Sequence, residues 1–240
     1  MRNNLKWNLK ILLGKNLFVY KLFIKYIAKR KNLFVVPETD IVIEGFPRSG
    51  NTFAVALFKV TQKKNINIAC HRHEIGHIKL ALNLKKPIIV LIRNPEDAVI
   101  SLYLRENVNL STGFKYYIDF YKNLLKPNIY RKILFINFNN LINDPINLLK
   151  KTSKKFNIDL EIPQKIDIEE IKNKVISMDM DEFKNTTKNK NIDLRISLPT
   201  NSKKLIKNSI KKDIRDSKKL YSLLSEANEV YKEIITKKNE

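Results

Sequence analysis

Asp40-Ile41-Val42-Ile43-Glu44-Gly45-Phe46-Pro47-Arg48-Ser49-Gly50-Asn51-Thr52-Phe53 sets the reading of the whole chain. A short apolar run breaks at a loop punctuated by glycine and proline. From Asn51 to Lys63 the chain then shows helical spacing through Phe53, Ala54, Leu57 and Phe58. Strand, loop and helix in that order, with Gly45 and Gly50 in the loop, let backbone N–H groups and a helix N-terminus point at one anion. The ordinary nucleotide-hydrolase loop reads G-x-x-x-x-G-K-[ST], where the lysine reaches the terminal phosphates. Asn51 stands at that lysine position, and the cation of this loop is Arg48. A kinase or ATPase without the lysine lacks its main contact to the transferring phosphoryl group, which argues against that chemistry.

Downstream, the elements alternate. Asn65 to Cys70 reads as a second strand, Ile75 to Leu84 as a helix, and Pro87 to Ile92 as a strand apolar on both faces, the most buried of the set. Asn94-Pro95-Glu96-Asp97 supplies an N-cap, a proline suited to the first turn and acids for the positive end of a helix that runs through Leu104. A helix over Gly113 to Leu125, a strand over Ile133 to Asn137 and a helix from Asp144-Pro145 to Phe156 follow. Strands alternating with helices predict an α/β fold: a P-loop three-layer αβα arrangement around a central parallel sheet, with right-handed crossovers. Past Pro163 the pattern predicts a short helix near Ile168 to Val175, a polar stretch from Asp179 to Asn191, two charged C-terminal helices after Pro199, and no strand.

With 240 residues and no linker-like stretch or internal repeat, the simplest organisation is a domain over 36–240 preceded by an extension over 1–35. The domain divides into a nucleotide-binding core, 40–156, and a helical part, 157–240. Cys70 is the only cysteine, so no intrachain disulfide or thiolate cluster exists, which fits a reducing, cytoplasmic setting. The formal net charge of +22 invites a nucleic-acid reading, but the excess is Lys spread along the chain, without an aromatic-stacking or zinc-ligand signature. Nucleic acid is therefore not the expected substrate. In the extension, Lys21, Lys25 and Lys29 recur on one helical face opposite Leu17, Ile24 and Ile27. Such a basic amphipathic helix either packs its apolar stripe on the domain or, through residues 1–31, makes peripheral contact with an anionic membrane face.

A second motif, nine residues long, sits at the end of the apolar strand: Arg93-Asn94-Pro95-Glu96-Asp97-Ala98-Val99-Ile100-Ser101. Arg93 at a strand's carboxyl end and Ser101 about two turns into the next helix can face one crevice, where open α/β sheets bind ligands. Arg93 pairing with Asp97 is the plainer alternative. The loop Pro47-Arg48-Ser49-Gly50-Asn51-Thr52-Phe53 resembles the P-[KR]-S-G-T-T-[WF] loop of sulfotransferases that use 3′-phosphoadenosine 5′-phosphosulfate (PAPS), and the second motif resembles their R-[ND]-P-x-D-x-x-x-S site. The segment from Phe135 to Pro145 is similar to the family's strand ending Y-E-D-L, with Phe138 in the tyrosine position and Asn139-Asn140 replacing the acidic pair. Phe53 and Phe138 are either rings near an adenine or core residues.

The resemblance implies a sulfuryl transfer from PAPS to a hydroxyl, with no metal, the acceptor being a carbohydrate such as a glycan or a lipid-linked sugar. It implies that the loop from Pro47 to Phe53 holds the 5′-phosphosulfate, that Arg48 stabilises developing charge, and that Arg93 and Ser101 hold the 3′-phosphate. All three histidines fall between 71 and 77, after the second strand, where the family carries its base. His73 is the first choice, with Glu74 and His71 behind it and His77 expected on a helix surface. The family's C-terminal R-K-G segment is missing; Leu198-Pro199 followed by Lys203-Lys204 is its nearest counterpart. Two other readings stay open: a divergent P-loop kinase or hydrolase, and a basic membrane- or polyanion-associated protein with a vestigial nucleotide site.

Overall fold

The computed structural model describes residues 7–8, 17–21, 34–184, 197–198 and 201–237. Strands β1 (Ile41–Gly45), β2 (Ile68–Cys70), β3 (Ile88–Ile92) and β4 (Leu134–Asn137) form one sheet in the order β2-β1-β3-β4, with every pairing parallel. Ile43 lies opposite Ile89, and Val90 opposite Phe135. The connections are helical: α1 (Asn51–Thr61), α2 (Ile75–Asn83), α3 (Pro95–Glu106), α4 (Leu110–Leu124) and the short α5 (Pro127–Tyr130). After β4 come α6 (Phe138–Asn143), α7 (Pro145–Phe156), α8 (Ile168–Lys184), α9 (Asn201–Asp216) and α10 (Lys218–Lys237).

Successive side chains of a strand point to opposite faces, and here the two faces feed two separate cores. Val42, Ile88, Val90 and Ile92 join the apolar sides of α2, α3, α4 and α10 on one face. Ile41, Ile43, Ile89 and Leu91 meet α1, α7 and α8 on the other. This is the three-layer α/β arrangement expected from the alternation of elements. Every residue of β3 is fully buried, each contributing about 1.5–3 kcal/mol of apolar transfer. The helix caps form as the sequence dictates: the side chain of Asn94 accepts from the Asp97 N–H at 3.2 Å, and that of Asp144 from the Asn147 N–H at 3.1 Å.

Three features depart from the sequence expectations. The helix expected near 168–175 continues to Lys184, taking in part of the stretch read as merely polar. Ile171 and Val175 are buried against α1, Met178 packs beside them, and Asp179 is buried as an acceptor, which extends the inward stripe by two turns. The segment after β4 turns at once into α6, capped by the side chain of Asn137 on the Asn139 N–H at 2.8 Å. His77 is no surface residue; it is fully buried on α2. In the N-terminal extension the described residues are helical, with Trp7 against Tyr116 at 5.7 Å between ring centres and Tyr20 buried beside His77. The rest of the basic stripe, Lys25 and Lys29 included, lies outside the described residues.

Candidate active site

The carboxyl ends of β1 and β3 open into a cavity of about 500 Å³ floored by the loop between β1 and α1. Two glycines shape that floor. A Cβ on Gly45 would stand 2.4 Å from the Leu91 carbonyl oxygen, and Gly50 turns at φ +95° with its α-carbon pressed towards the Phe138 ring. The Phe46 carbonyl closes the turn, accepting from the Ser49 N–H at 3.2 Å and from the Asn51 side-chain amide at 3.1 Å. Phe46 in turn donates its N–H to the Tyr121 hydroxyl at 3.2 Å, and that hydroxyl donates to the Leu91 carbonyl at 2.6 Å. Asn51 thus ties the loop to itself where a lysine would project into the cavity. Gly50, Asn51, Thr52 and Phe53 line the cavity, and among the described residues no side chain caps α1 and no acid occupies its first turn. The positive end of the helix dipole is therefore presented to the cavity.

Two arginines reach this floor from different elements. Arg48, at φ 69°, donates through Nε to the Ser101 hydroxyl at 3.1 Å and through a terminal nitrogen to the Ser197 hydroxyl at 2.9 Å. Arg93 follows β3 directly, donates to the Arg48 carbonyl at 3.0 Å, and lays its guanidinium 4.2 Å over the Phe138 ring. Asp97 does not bind it: that carboxylate pairs with Lys211 at 3.2 Å. Burial lowers the Arg48 guanidinium to about 9, with Arg105 and Arg93 adding to the effect and Asp179 and Glu106 opposing it. Burial also lowers Arg93, with Asp97 opposing. Lys207 of α9 is lowered in the same way, by burial and then by Arg93 and Arg48. Burial thus disfavours the charged form of all three cations, and an anion close to them would oppose that effect.

His71 and His73 stand on the loop between β2 and α2, and their backbones are strained. His71 and His73 adopt φ of 61° and 60°; with Arg48 they are the left-handed non-glycine residues of the cavity wall, whereas Lys85, Asn107 and Asn157 merely follow helix ends. Each such conformation costs on the order of 1 kcal/mol and persists where its surroundings impose it. His73 is held on several sides: its N–H donates to Glu44 at 2.9 Å, its ring Nδ1 donates to the Gly45 carbonyl at 2.8 Å, and its own carbonyl accepts from the Tyr116 hydroxyl. His71 also lines the cavity, and burial, followed by the neighbouring His73, lowers its imidazole to about 4.

Comparison with known proteins adds a likeness of overall shape. No family model and no curated protein matches this chain. Among solved structures, mouse sulfotransferase SULT7A1 complexed with PAP is similar over 82% of this chain and 91% of that one, at 15% identity and a TM-score of 0.42.

Of the residues singled out from the sequence, Pro47, Arg48, Gly50, Asn51, Thr52, Phe53, His71, His73 and Arg93 line the cavity. Four others are placed differently. Ser49 is fully buried beneath the loop, with its N–H closing the turn. Ser101 receives Arg48 and so orients that guanidinium from below. Phe138 packs beneath Arg93 and against Gly50. Glu74 is buried outside the cavity lining, its carboxylate 3.4 Å from the Arg72 guanidinium, which leaves it unsuited to act as the base.

The structure also adds residues that the motifs did not reveal. Arg105 on α3 pairs with Asp179 at 3.2 Å and Glu182 at 2.7 Å, both on α8, and donates to Ser197 at 3.1 Å, building the opposite wall. Lys207, rather than the exposed Lys204, is the C-terminal lysine on which the charges of Arg93 and Arg48 act. Its signal was the spacing Lys203, Lys207, Lys211, one face of a helix.

Proposed function

We propose that this chain is a PAPS-dependent sulfotransferase acting on a hydroxyl acceptor. The observation that carries the reading is the convergence of Arg48 and Arg93, from two separate motifs, on one cavity at the uncapped N-terminus of α1, with Lys207 of α9 within their electrostatic reach. That spread of cations suits a ligand with an anion at each end, and the close approach permitted at Gly45 and Gly50 suits a phosphate held by backbone N–H groups. When bound, PAPS supplies an activated sulfuryl group whose leaving group is a phosphate.

In this reading the N–H groups from Gly50 to Phe53 and the Thr52 hydroxyl bind the 5′-phosphosulfate, and Arg48, oriented by Ser101, stabilises the charge that develops on the departing oxygen. Arg93 and Lys207 bind the 3′-phosphate and so fix the register of the donor. The Nδ1 proton of His73 is committed to the Gly45 carbonyl, which leaves Nε2 to accept the proton of the acceptor hydroxyl. A carbohydrate acceptor is supported by Trp7, Asp181 and Glu182 on the cavity wall, an aromatic ring and carboxylates of the kind that hold a sugar face and its hydroxyls. Peripheral membrane contact through 1–31 and a cytoplasmic setting belong to the same proposal; no described helix is long and apolar enough to cross a membrane.

Calorimetric titration with adenosine 3′,5′-bisphosphate in the presence of chelator tests the reading. Binding in the micromolar range is expected, about −8 kcal/mol. A protein that ignores this ligand and takes up ATP with magnesium is a kinase or hydrolase instead, and one whose binding vanishes entirely with added salt is a polyanion-associated protein.

A further inference from the structure

Glu44 is fully buried one residue before the phosphate loop, and the roles assigned above leave it unused. A carboxylate there is costly unless donors surround it. Three do. Oε1 accepts from the Arg72 N–H at 2.8 Å and from His77 Nδ1 at 2.8 Å, while Oε2 accepts from the His73 N–H at 2.9 Å and stands 3.4 Å from His73 Nδ1. Burial raises the Glu44 carboxyl, but the hydrogen bonds from His73 and His77 outweigh it and hold the group well below the usual carboxylate range.

The proton positions follow from the partners. His77 Nε2 accepts from the Val35 N–H at 3.1 Å, so it carries no proton, and His77 donates to Glu44 through Nδ1 as a neutral ring. The Gly45 carbonyl can only accept, so His73 also carries its proton on Nδ1, with the Nε2 lone pair left for chemistry. His77 therefore brings no positive charge to balance Glu44. The carboxylate's full charge lies beside His73.

We propose that Glu44 is the positioning residue of this site: it holds the left-handed backbone of His73, sets its charge on the Nδ1 side of a ring whose Nδ1–H donates to the Gly45 carbonyl, and stabilises the imidazolium formed when Nε2 takes a proton. The identity of the proton's source rests on the sulfuryl-transfer reading; the Glu44–His73 pair does not. In that reading the acceptor O–H proton passes to His73 Nε2 and the acceptor oxygen forms a bond to sulfur. The bond from sulfur to the phosphate oxygen breaks, and the bisphosphate leaves with the electron pair. Other titratable groups face the pair. Cys70, His71, Arg72 and Glu74 stand on its own loop and His77 on α2, while Tyr116 approaches from α4 and Tyr20 from the N-terminal segment. Arg72 is turned to Glu74 and over the Phe34 ring at 4.3 Å, so its guanidinium is directed at other partners.

The test is ring ¹⁵N NMR of the full chain through a pH titration, without any donor, on the unmodified protein and on Glu44→Gln and Glu44→Asp. The unmodified protein is expected to show His73 as the Nδ1–H tautomer. In Glu44→Gln the proton affinity of His73 should fall about tenfold, kcat about 100-fold, and the acid limb of the rate profile should move to lower pH, while bisphosphate affinity stays within a fewfold. Glu44→Asp should recover part of the rate. An Nε2–H tautomer in the unmodified protein overturns the proposal, and this measurement stands even if Glu44→Gln fails to fold. An unshifted His73 titration in a folded Glu44→Gln overturns it equally. A shifted titration in a protein that binds no bisphosphate upholds the pair and removes the donor assignment instead.

Discussion

Two arginine centres face each other across the cavity, and they differ in what surrounds them. Arg105 is enclosed by carboxylates, Asp179 at 3.2 Å, Glu182 at 2.7 Å and Glu106 at 3.4 Å, and although burial alone would lower it, these acids raise its guanidinium above the ordinary value. Arg48 and Arg93 donate to the hydroxyls of Ser101 and Ser197 and to a carbonyl, and burial lowers both. The first centre joins α3 to α8 and is internally balanced. The second gathers two arginines where the sheet ends, at an uncapped helix. In the function proposed above, a ligand anion adds to the second and has little to add to the first.

Paired substitutions test this contrast most strongly. Arg93→Ala should weaken adenosine 3′,5′-bisphosphate binding about 100-fold, near 3 kcal/mol, with little change in thermal stability. Arg105→Ala should do the reverse, leaving affinity within a fewfold but lowering stability by about 2 kcal/mol in denaturant titration, because Asp179 then stays buried without its cation. If Arg105→Ala instead abolished binding, the two centres would be one site.

A smaller effect comes from the loop itself. Gly50→Ala places a Cβ 2.9 Å from the Phe138 ring at a φ that side chains rarely adopt. It should lower stability by about 1–2 kcal/mol and bisphosphate affinity in parallel, as read by thermal unfolding and calorimetry. An affinity unchanged in that variant would separate the backbone turn from anion binding.

The smallest expected signal is a pH dependence of stability at His71, whose surroundings include Arg105 and Asp179 of the balanced centre. Its folded value of about 4 lies below the ordinary 6.5, so between these two values the unfolded chain binds more protons than the folded one. Stability is therefore complete above about 6.5 and declines as the pH falls towards about 4. Replacing His71 by Asn should flatten that slope in urea titrations at stepped pH; an unaltered slope would place the titrating group elsewhere.

Much of this was legible along the chain. The apolar strands, the Asn94 and Asp144 caps, the glycine loop and Arg93 at a strand's end are patterns of neighbouring residues, and the local backbone realises them as read. Other features were not. The extension of α8 to Lys184 depends on Asp179 meeting Arg105 from 74 residues away, and His77 reads as a surface histidine until Val35 and Glu44 are brought to its ring. Ser101 lies at the motif's spacing yet takes its hydrogen bond from Arg48, because Arg93 turns instead to the Arg48 carbonyl and the Phe138 ring.

Covalent order was enough to specify the α/β class and the position of the glycine loop between β1 and α1, since helix periodicity, strand alternation and cap chemistry act over a few residues. Which cations gather at the cavity, which nitrogen of His73 and His77 carries the proton, and that Glu44 stands behind His73 emerged from the packed chain alone. Electrostatics and hydrogen bonding depend on distance and burial, and those quantities exist only once remote segments have come together.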